Sequence, residues 1–128
     1  MRLFFYGSLR KGQDNYERFT REWPGGITDV ASGWIAGWAL ADLGTHCSIV
    51  PADPASTVIG DVFDVSEEVF QHIERMEAEY EYVRTPVEVL TGPGAPAIRA
   101  DVYLFARPDE IKDRPRIAVG DWTQRSVG

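Results

Sequence analysis

Short apolar and alternating runs, cut by glycine and proline, cover most of this chain, and two stretches instead repeat at helical spacing. Arg2 to Tyr6 is a brief apolar run that stops at Gly7-Ser8, which predicts a buried strand ending in a tight turn. Gly7 permits backbone angles closed to other residues and lets a ligand approach the main chain. Successive N–H groups there, those of Gly7, Ser8 and Leu9, can form a nest for an anion, so Tyr6 to Leu9 is a candidate anion-binding turn. A helix is predicted across Gln13 to Glu22, with Tyr16 and Phe19 inward and Trp23-Pro24-Gly25-Gly26 as its stop. Ile27 to Leu43 reads as one or two strands bent at Gly33 or Gly37. Asp42-Leu43-Gly44 turns the chain, and Cys47 to Val50 is a short strand that Pro51 ends. Val58 to Val65 alternates as a half-buried strand, with Gly60-Asp61 as a candidate bulge. Tyr82 to Leu90 and Ala97 to Ala106 are rich in β-formers around a Thr91-Gly92-Pro93-Gly94 turn, so they predict a hairpin. Pro86 places the first of these at an edge or a bulge. The tail from Arg107 is polar until Ile117-Ala118-Val119 and Gly120-Asp121-Trp122.

The second helical stretch, Ser66 to Tyr82, carries the most informative residue. Ser66 is a good N-cap, and Val65 and Phe70 stand at the positions of a hydrophobic staple. At about 100° per residue, Val69, Ile73, Met76 and Tyr80 form one stripe with Phe70 on its flank. Glu77 falls inside that arc, whereas Glu67, Glu68, Glu74, Glu79 and Glu81 fall outside it. A carboxylate on an apolar face loses hydration, so its pKa rises toward the range useful to a general acid or base. The structural alternative is a rim residue, or one paired to a buried arginine such as Arg84.

At 128 residues, with 44% hydrophobic residues, 12 glycines and 8 prolines spread along it, the chain fits one loop-rich domain over 1–128. Mostly strands with two helices imply an α+β fold around a curled mixed sheet or partial barrel. The net charge of −7 argues against general nucleic-acid binding. No apolar stretch approaches a membrane span and no signal peptide fits. Cys47 stands alone, which excludes a disulfide framework. Together these point to a cytoplasmic protein.

Conventional chemistries fare poorly. Ser8 is not in a Gly-x-Ser-x-Gly elbow, and His46 sits in a polar turn with no evident orienting partner. A metal site from His46, Cys47 and His72 is disfavoured because His72 falls on the solvent side of its helix. Two features survive: the turn at residues 6–9 and the lone carboxylate of Glu77.

Both lie in blocks that resemble the gamma-glutamylcyclotransferase-like family, which includes the gamma-glutamylamine cyclotransferases. Phe5-Tyr6-Gly7-Ser8-Leu9-Arg10-Lys11-Gly12 resembles its Tyr-Gly-[Ser/Thr]-Leu signature. Asp42-Leu43-Gly44 with Val50-Pro51, and Gly60-Asp61-Val62-Phe63, are similar to the next blocks. Ile73-Glu74-Arg75-Met76-Glu77-Ala78 resembles Leu-Asp-x-x-Glu-Gly, and Tyr82-Val83-Arg84, Val102-Tyr103 and Gly120-Asp121-Trp122 follow in order. Ala78 stands where the family usually has Gly, beside the catalytic position, and Cys47-Ser48 replaces a Pro-Ala pair on one pocket wall.

The resemblance implies a lyase- or transferase-type amide cleavage with cyclisation. The α-amine of a small gamma-glutamyl amine or amide attacks its own γ-carbonyl and releases 5-oxoproline and an amine. It implies Glu77 as acid/base, main-chain N–H groups near Gly7, Ser8 and Leu9 on the substrate, Tyr82 as pocket wall or core, and Arg84 as a structural partner. No cofactor or metal is implied. The alternatives are a non-catalytic domain of this fold that binds a small carboxylate, and a protein-interaction surface using exposed Trp23, Trp34 or Trp38. The loops carry no signature for the released amine or for an oligomeric state.

Overall fold

The strand at the centre of the molecule is β1 (Arg2–Phe5), and its four residues explain the layering around it. Successive side chains of a strand point to opposite faces. Leu3 and Phe5 join one buried cluster, whereas Phe4 and the following Tyr6 join another. A strand apolar on both faces needs cover on both, and it has it.

The computed structural model describes residues 1–117 and 120–124; Ala118 and Val119 of the tail run, and residues 125–128, lie outside the described residues. After β1 come α1 (Asp14–Glu22), β2 (Ile27–Ala36), β3 (Trp38–Asp42), β4 (Cys47–Pro51), β5 (Thr57–Val65), α2 (Glu67–Glu79), β6 (Tyr82–Val89) and β7 (Ile98–Phe105). Five strands form one sheet in the order β2-β5-β1-β7-β6, and β3-β4 form a separate hairpin. β1 runs antiparallel to β5 and parallel to β7, so the sheet is mixed. The α+β class and the curled mixed sheet are as the sequence predicts.

The sheet does not close into a barrel, but its edges touch. Trp34 and Leu90 exchange two backbone hydrogen bonds, 2.9 and 2.8 Å long, just past the end of β6. Gly33 makes this approach feasible, because a Cβ there would lie 2.2 Å from the Leu90 carbonyl oxygen. The bend between β2 and β3 falls instead at Gly37, whose φ is +86°. The two glycines thus divide the tasks that the sequence left open between them.

Inside the curl, Phe4, Ile35, Val58, Val62, Val89 and Val102 pack with Leu40 and Ile49 of the β3-β4 hairpin, which plugs one opening. Outside it, α1 and α2 cover Leu3, Phe5 and Phe63 with Phe19, Val69 and Ile73. Ser66 caps α2, accepting the Val69 N–H at 3.2 Å. The chain leaves α2 for β6 at Glu81, which takes φ +63° and whose carboxylate accepts from both terminal nitrogens of Arg107. Pro86 sits on the edge strand β6.

Three expectations are corrected. The bulge lies in β2 between Asp29 and Ala31, not at Gly60-Asp61, because Asp61 is fixed in the ladder by Arg10, Lys11 and Ser32. Trp23, Trp34 and Trp38 are half-buried, not exposed. Trp23 stacks on Phe19 and Trp38 packs against the inner cluster, so the premise of a tryptophan interaction surface is gone. His72 is half-buried against the Trp23 ring at 4.4 Å, because α1 ends over that face of α2. No helix among the described residues is long and apolar enough to cross a membrane.

Candidate active site

The turn after β1, the last turns of α2, the start of β6 and the loop entering β4 converge on a pocket of about 320 Å³. All six residues singled out in the sequence line it: Tyr6, Gly7, Ser8, Leu9, Glu77 and Tyr82. Cys47, placed on a pocket wall by the family resemblance, lines it too, whereas sequence reasoning missed Asn15, Thr45, His46, Met76, Tyr80, Tyr103 and Trp122. Met76 and Tyr80 had a signal, since they share the stripe of Glu77 on α2. The others reach the pocket through long-range pairing, which periodicity does not report.

Glu77 points into this pocket from the C-terminal half of α2. Burial, and then the nearby carboxylate of Glu74, raise its pKa from 4.5 to about 7. Among the described residues no group hydrogen-bonds or ion-pairs with the Glu77 carboxylate. Arg84, the candidate partner, is engaged elsewhere: its Nε meets Glu74 and its guanidinium also meets Asp101. Tyr103 donates a further bond of 3.0 Å to Glu74. Glu74 therefore keeps the cation away from Glu77 while leaving a negative charge in range, and both effects favour the protonated form.

Ile73 and Phe70, the apolar α2 neighbours of Glu77 in the sequence pattern, do not line the pocket. Phe70 faces Arg84, whose guanidinium carbon lies 5.1 Å from its ring centroid. Tyr6, Cys47, Met76, Tyr82 and Tyr103 surround the site instead. Burial pushes the phenols of Tyr6, Tyr82 and Tyr103 up, so all three stay protonated donors. Tyr6 donates to the Tyr103 carbonyl at 2.6 Å, and Tyr82 donates to the Cys47 carbonyl. They fasten β1 to β7 and β6 to β4, and so build the walls.

Opposite the helix, Arg10 N–H closes the turn onto the Gly7 carbonyl at 3.0 Å. The backbone N–H groups of Gly7, Ser8 and Leu9 donate to no acceptor among the described residues. Ser8 uses its carbonyl and hydroxyl to bind the start of α1, accepting from Asn15 N, Tyr16 N and Asn15 Nδ2. Gly7 is not in the left-handed region, contrary to expectation. The reason for glycine is contact, since an added Cβ would lie 3.3 Å from Cys47 Sγ. Ser48, next to Cys47, is fully buried and accepts the Phe105 N–H at 2.9 Å. Ala78 is exposed in α2, so its methyl group does not crowd Glu77.

His46 lies at the rim, with Nδ1 bonded to Thr45 Oγ1 at 3.1 Å, an orienting contact the sequence did not reveal. Burial and the charge of Arg114 lower its pKa, so its ring is neutral at neutral pH. Among the described residues no Lys or Arg lines the pocket, and no three His, Cys, Asp or Glu side chains converge as metal ligands. A turn whose N–H groups find no acceptor among the described residues thus shares one pocket with a carboxyl poised near neutrality and with three phenols.

Solved structures share this architecture. A protein from Pyrococcus horikoshii is 23% identical, with a TM-score of 0.71 over 95% of this chain and 89% of its own. An AIG2-like protein from Mus musculus is 21% identical, with a TM-score of 0.75 over 90% of this chain and 84% of its own. A gamma-glutamyl cyclotransferase is 19% identical, with a TM-score of 0.65 over 83% of this chain and 66% of its own. At these identities the likeness shows the fold alone. No curated protein matches the chain in sequence. The family model described as gamma-glutamyl cyclotransferase, AIG2-like, matches residues 3–124, nearly the whole chain. Its members include gamma-glutamyl cyclotransferase enzymes, and it is to this family that the chain belongs.

Proposed function

We propose that the chain is a cofactor-independent cyclotransferase that converts a small gamma-glutamyl amine or amide to 5-oxoproline and a free amine. The observation that carries this reading is the Glu77 carboxyl, free of any described counter-ion and held near pKa 7 in the pocket. A carboxyl with that pKa accepts and returns a proton at neutral pH with little cost either way.

The unclaimed N–H groups of Gly7, Ser8 and Leu9 hold the α-carboxylate of the substrate, which finds no described Lys or Arg on the wall. Glu77, as carboxylate, takes a proton from the α-ammonium. The freed nitrogen attacks the γ-carbonyl carbon, and a five-membered ring closes. The γ-amide C–N bond then breaks as Glu77 returns the proton to the departing nitrogen. The ring nitrogen keeps one hydrogen, and the second proton it sheds also passes to the amine, which leaves as an ammonium. One amide replaces another, so the reaction has no redox step. Holding amine and carbonyl in one pocket supplies the intramolecular advantage, and the tyrosine walls exclude bulk water.

The test is a panel of gamma-glutamyl amines and dipeptides incubated with the protein and assayed for 5-oxoproline. Release from at least one member, reduced by 1000-fold or so in Glu77→Gln, is expected on the scale of losing a general acid-base. Ligand binding without release, unchanged by Glu77→Gln, would instead identify a domain of this fold that only binds a small carboxylate.

A further inference from the structure

Tyr80 is the one large ring of the pocket that faces outward. It is 52% exposed, although it belongs to the apolar stripe of α2. It is not a stray surface residue, because two further pocket-lining rings hold it in a cluster. Its centroid lies 5.2 Å from that of His46 and 6.4 Å from that of Tyr82, and His46 and Tyr82 are 6.3 Å apart. Phe105 backs Tyr82 edge-on at 6.3 Å. These separations are those of mutually attractive aromatic pairs. The cluster is anchored at its base by the Tyr82 bond to the Cys47 carbonyl and at its side by the Thr45 contact to His46. One member is left with a free face at the mouth.

The position of this face relative to Glu77 gives it meaning. Tyr80 follows Glu77 by three residues at the end of α2, so the two lie on neighbouring turns of the same helix side, about 5 Å apart along the axis. In the proposed reaction the departing nitrogen receives its proton at Glu77. Whatever that nitrogen carries must therefore extend away from the buried turn at residues 7–9, toward the mouth. The first surface it meets one helical turn on is the Tyr80 shelf. The neutral imidazole of His46 adds a second ring without adding charge.

We propose that Tyr80, with His46 and Tyr82, forms a leaving-group subsite for amines that carry an aromatic ring close to the nitrogen. The assignment rests on the cyclotransferase reading for its direction, but the subsite itself is testable by binding alone. A flat ring gains from stacking on Tyr80 what a saturated ring of similar bulk does not. A small amine reaches no part of the shelf.

The experiment uses gamma-glutamyl conjugates of benzylamine, cyclohexylmethylamine and methylamine. Their affinities are measured by calorimetry on the Glu77→Gln protein, in the presence and absence of Tyr80→Ala or Tyr80→Phe. The benzyl conjugate is expected to bind about tenfold tighter than the methyl one, with the cyclohexylmethyl conjugate between them. Tyr80→Ala should collapse that spread to about twofold and Tyr80→Phe should preserve it. Equal affinity for the benzyl and cyclohexylmethyl conjugates, or a preference that survives Tyr80→Ala, would overturn the aromatic subsite. Release of 5-oxoproline by the protein with Glu77 intact is scored separately. A ring preference without release would sink the cyclotransferase reading and leave the shelf standing, and release without a ring preference would do the reverse.

Discussion

Glu77 is a residue that the fold holds at an energetic disadvantage. Its carboxyl titrates at about 7 in the folded protein against 4.5 in an unperturbed chain. Between those values the folded state holds a proton that the unfolded state has released. Stability therefore falls as pH rises through that window, with the full cost reached above it. Since the group is partly hydrated through the pocket, that cost is on the order of 2 kcal/mol. Glu77→Gln removes it. Denaturant unfolding of variant and unmodified protein at pH 5 and pH 8 should show the variant's relative stability rising by that amount at the higher pH. A constant difference would mean that Glu77 is no more buried than a surface carboxylate.

At the scale of elements, the pocket wall is a set of crossings between strands remote in sequence. Ser48 illustrates this. It lies on β4, is fully buried, accepts the Phe105 N–H of β7 and donates to the Ile49 carbonyl. Ser48→Ala leaves the Phe105 N–H without its partner in the core, a loss of roughly 2 kcal/mol, read as a lower denaturation midpoint with an unchanged denaturant slope. An unaltered midpoint would show that the neighbouring wall does not depend on this bond. The order and type of the elements were legible in the sequence, because Ser66, Gly37, Pro51 and the 3.6-residue period around Ile73 act locally. The same period singled out Glu77. What stayed hidden was the pairing of β1 with both β5 and β7, and with it the company Glu77 keeps. Arg84 is near in sequence and opposite in charge, yet Glu74 and Asp101 take it, a competition that only the folded geometry decides.

Across the whole molecule, a largely buried ion cluster ties the turn at residues 7–9 to distant parts of the chain. Arg10, the residue after the N–H donors, pairs with Asp61 of β5 at 3.3 Å and with Asp121 at 2.8 Å. Asp61 also accepts from Lys11 N and Ser32 Oγ. Trp122, beside Asp121, is buried and completes the pocket wall. The Gly120-Asp121-Trp122 block thus serves the pocket through Arg10, a link between the two ends of the described chain. Asp61→Ala strips Arg10 of one buried partner and two further donors of their acceptor. A loss of about 3 kcal/mol is expected, measured by equilibrium denaturation. A loss below 1 kcal/mol would show that Asp121 alone holds the turn.

The most direct test of the account is the pH dependence of 5-oxoproline release from a turned-over conjugate, compared with the Glu77→Gln variant. With Glu77 as the base that must ionise, kcat/KM should rise with pH and level off above an apparent pKa of about 7, and the variant should show neither the rate nor the limb. A limb near 4.5, the value of an unperturbed glutamate, or a variant that keeps full activity, would contradict the role assigned to Glu77.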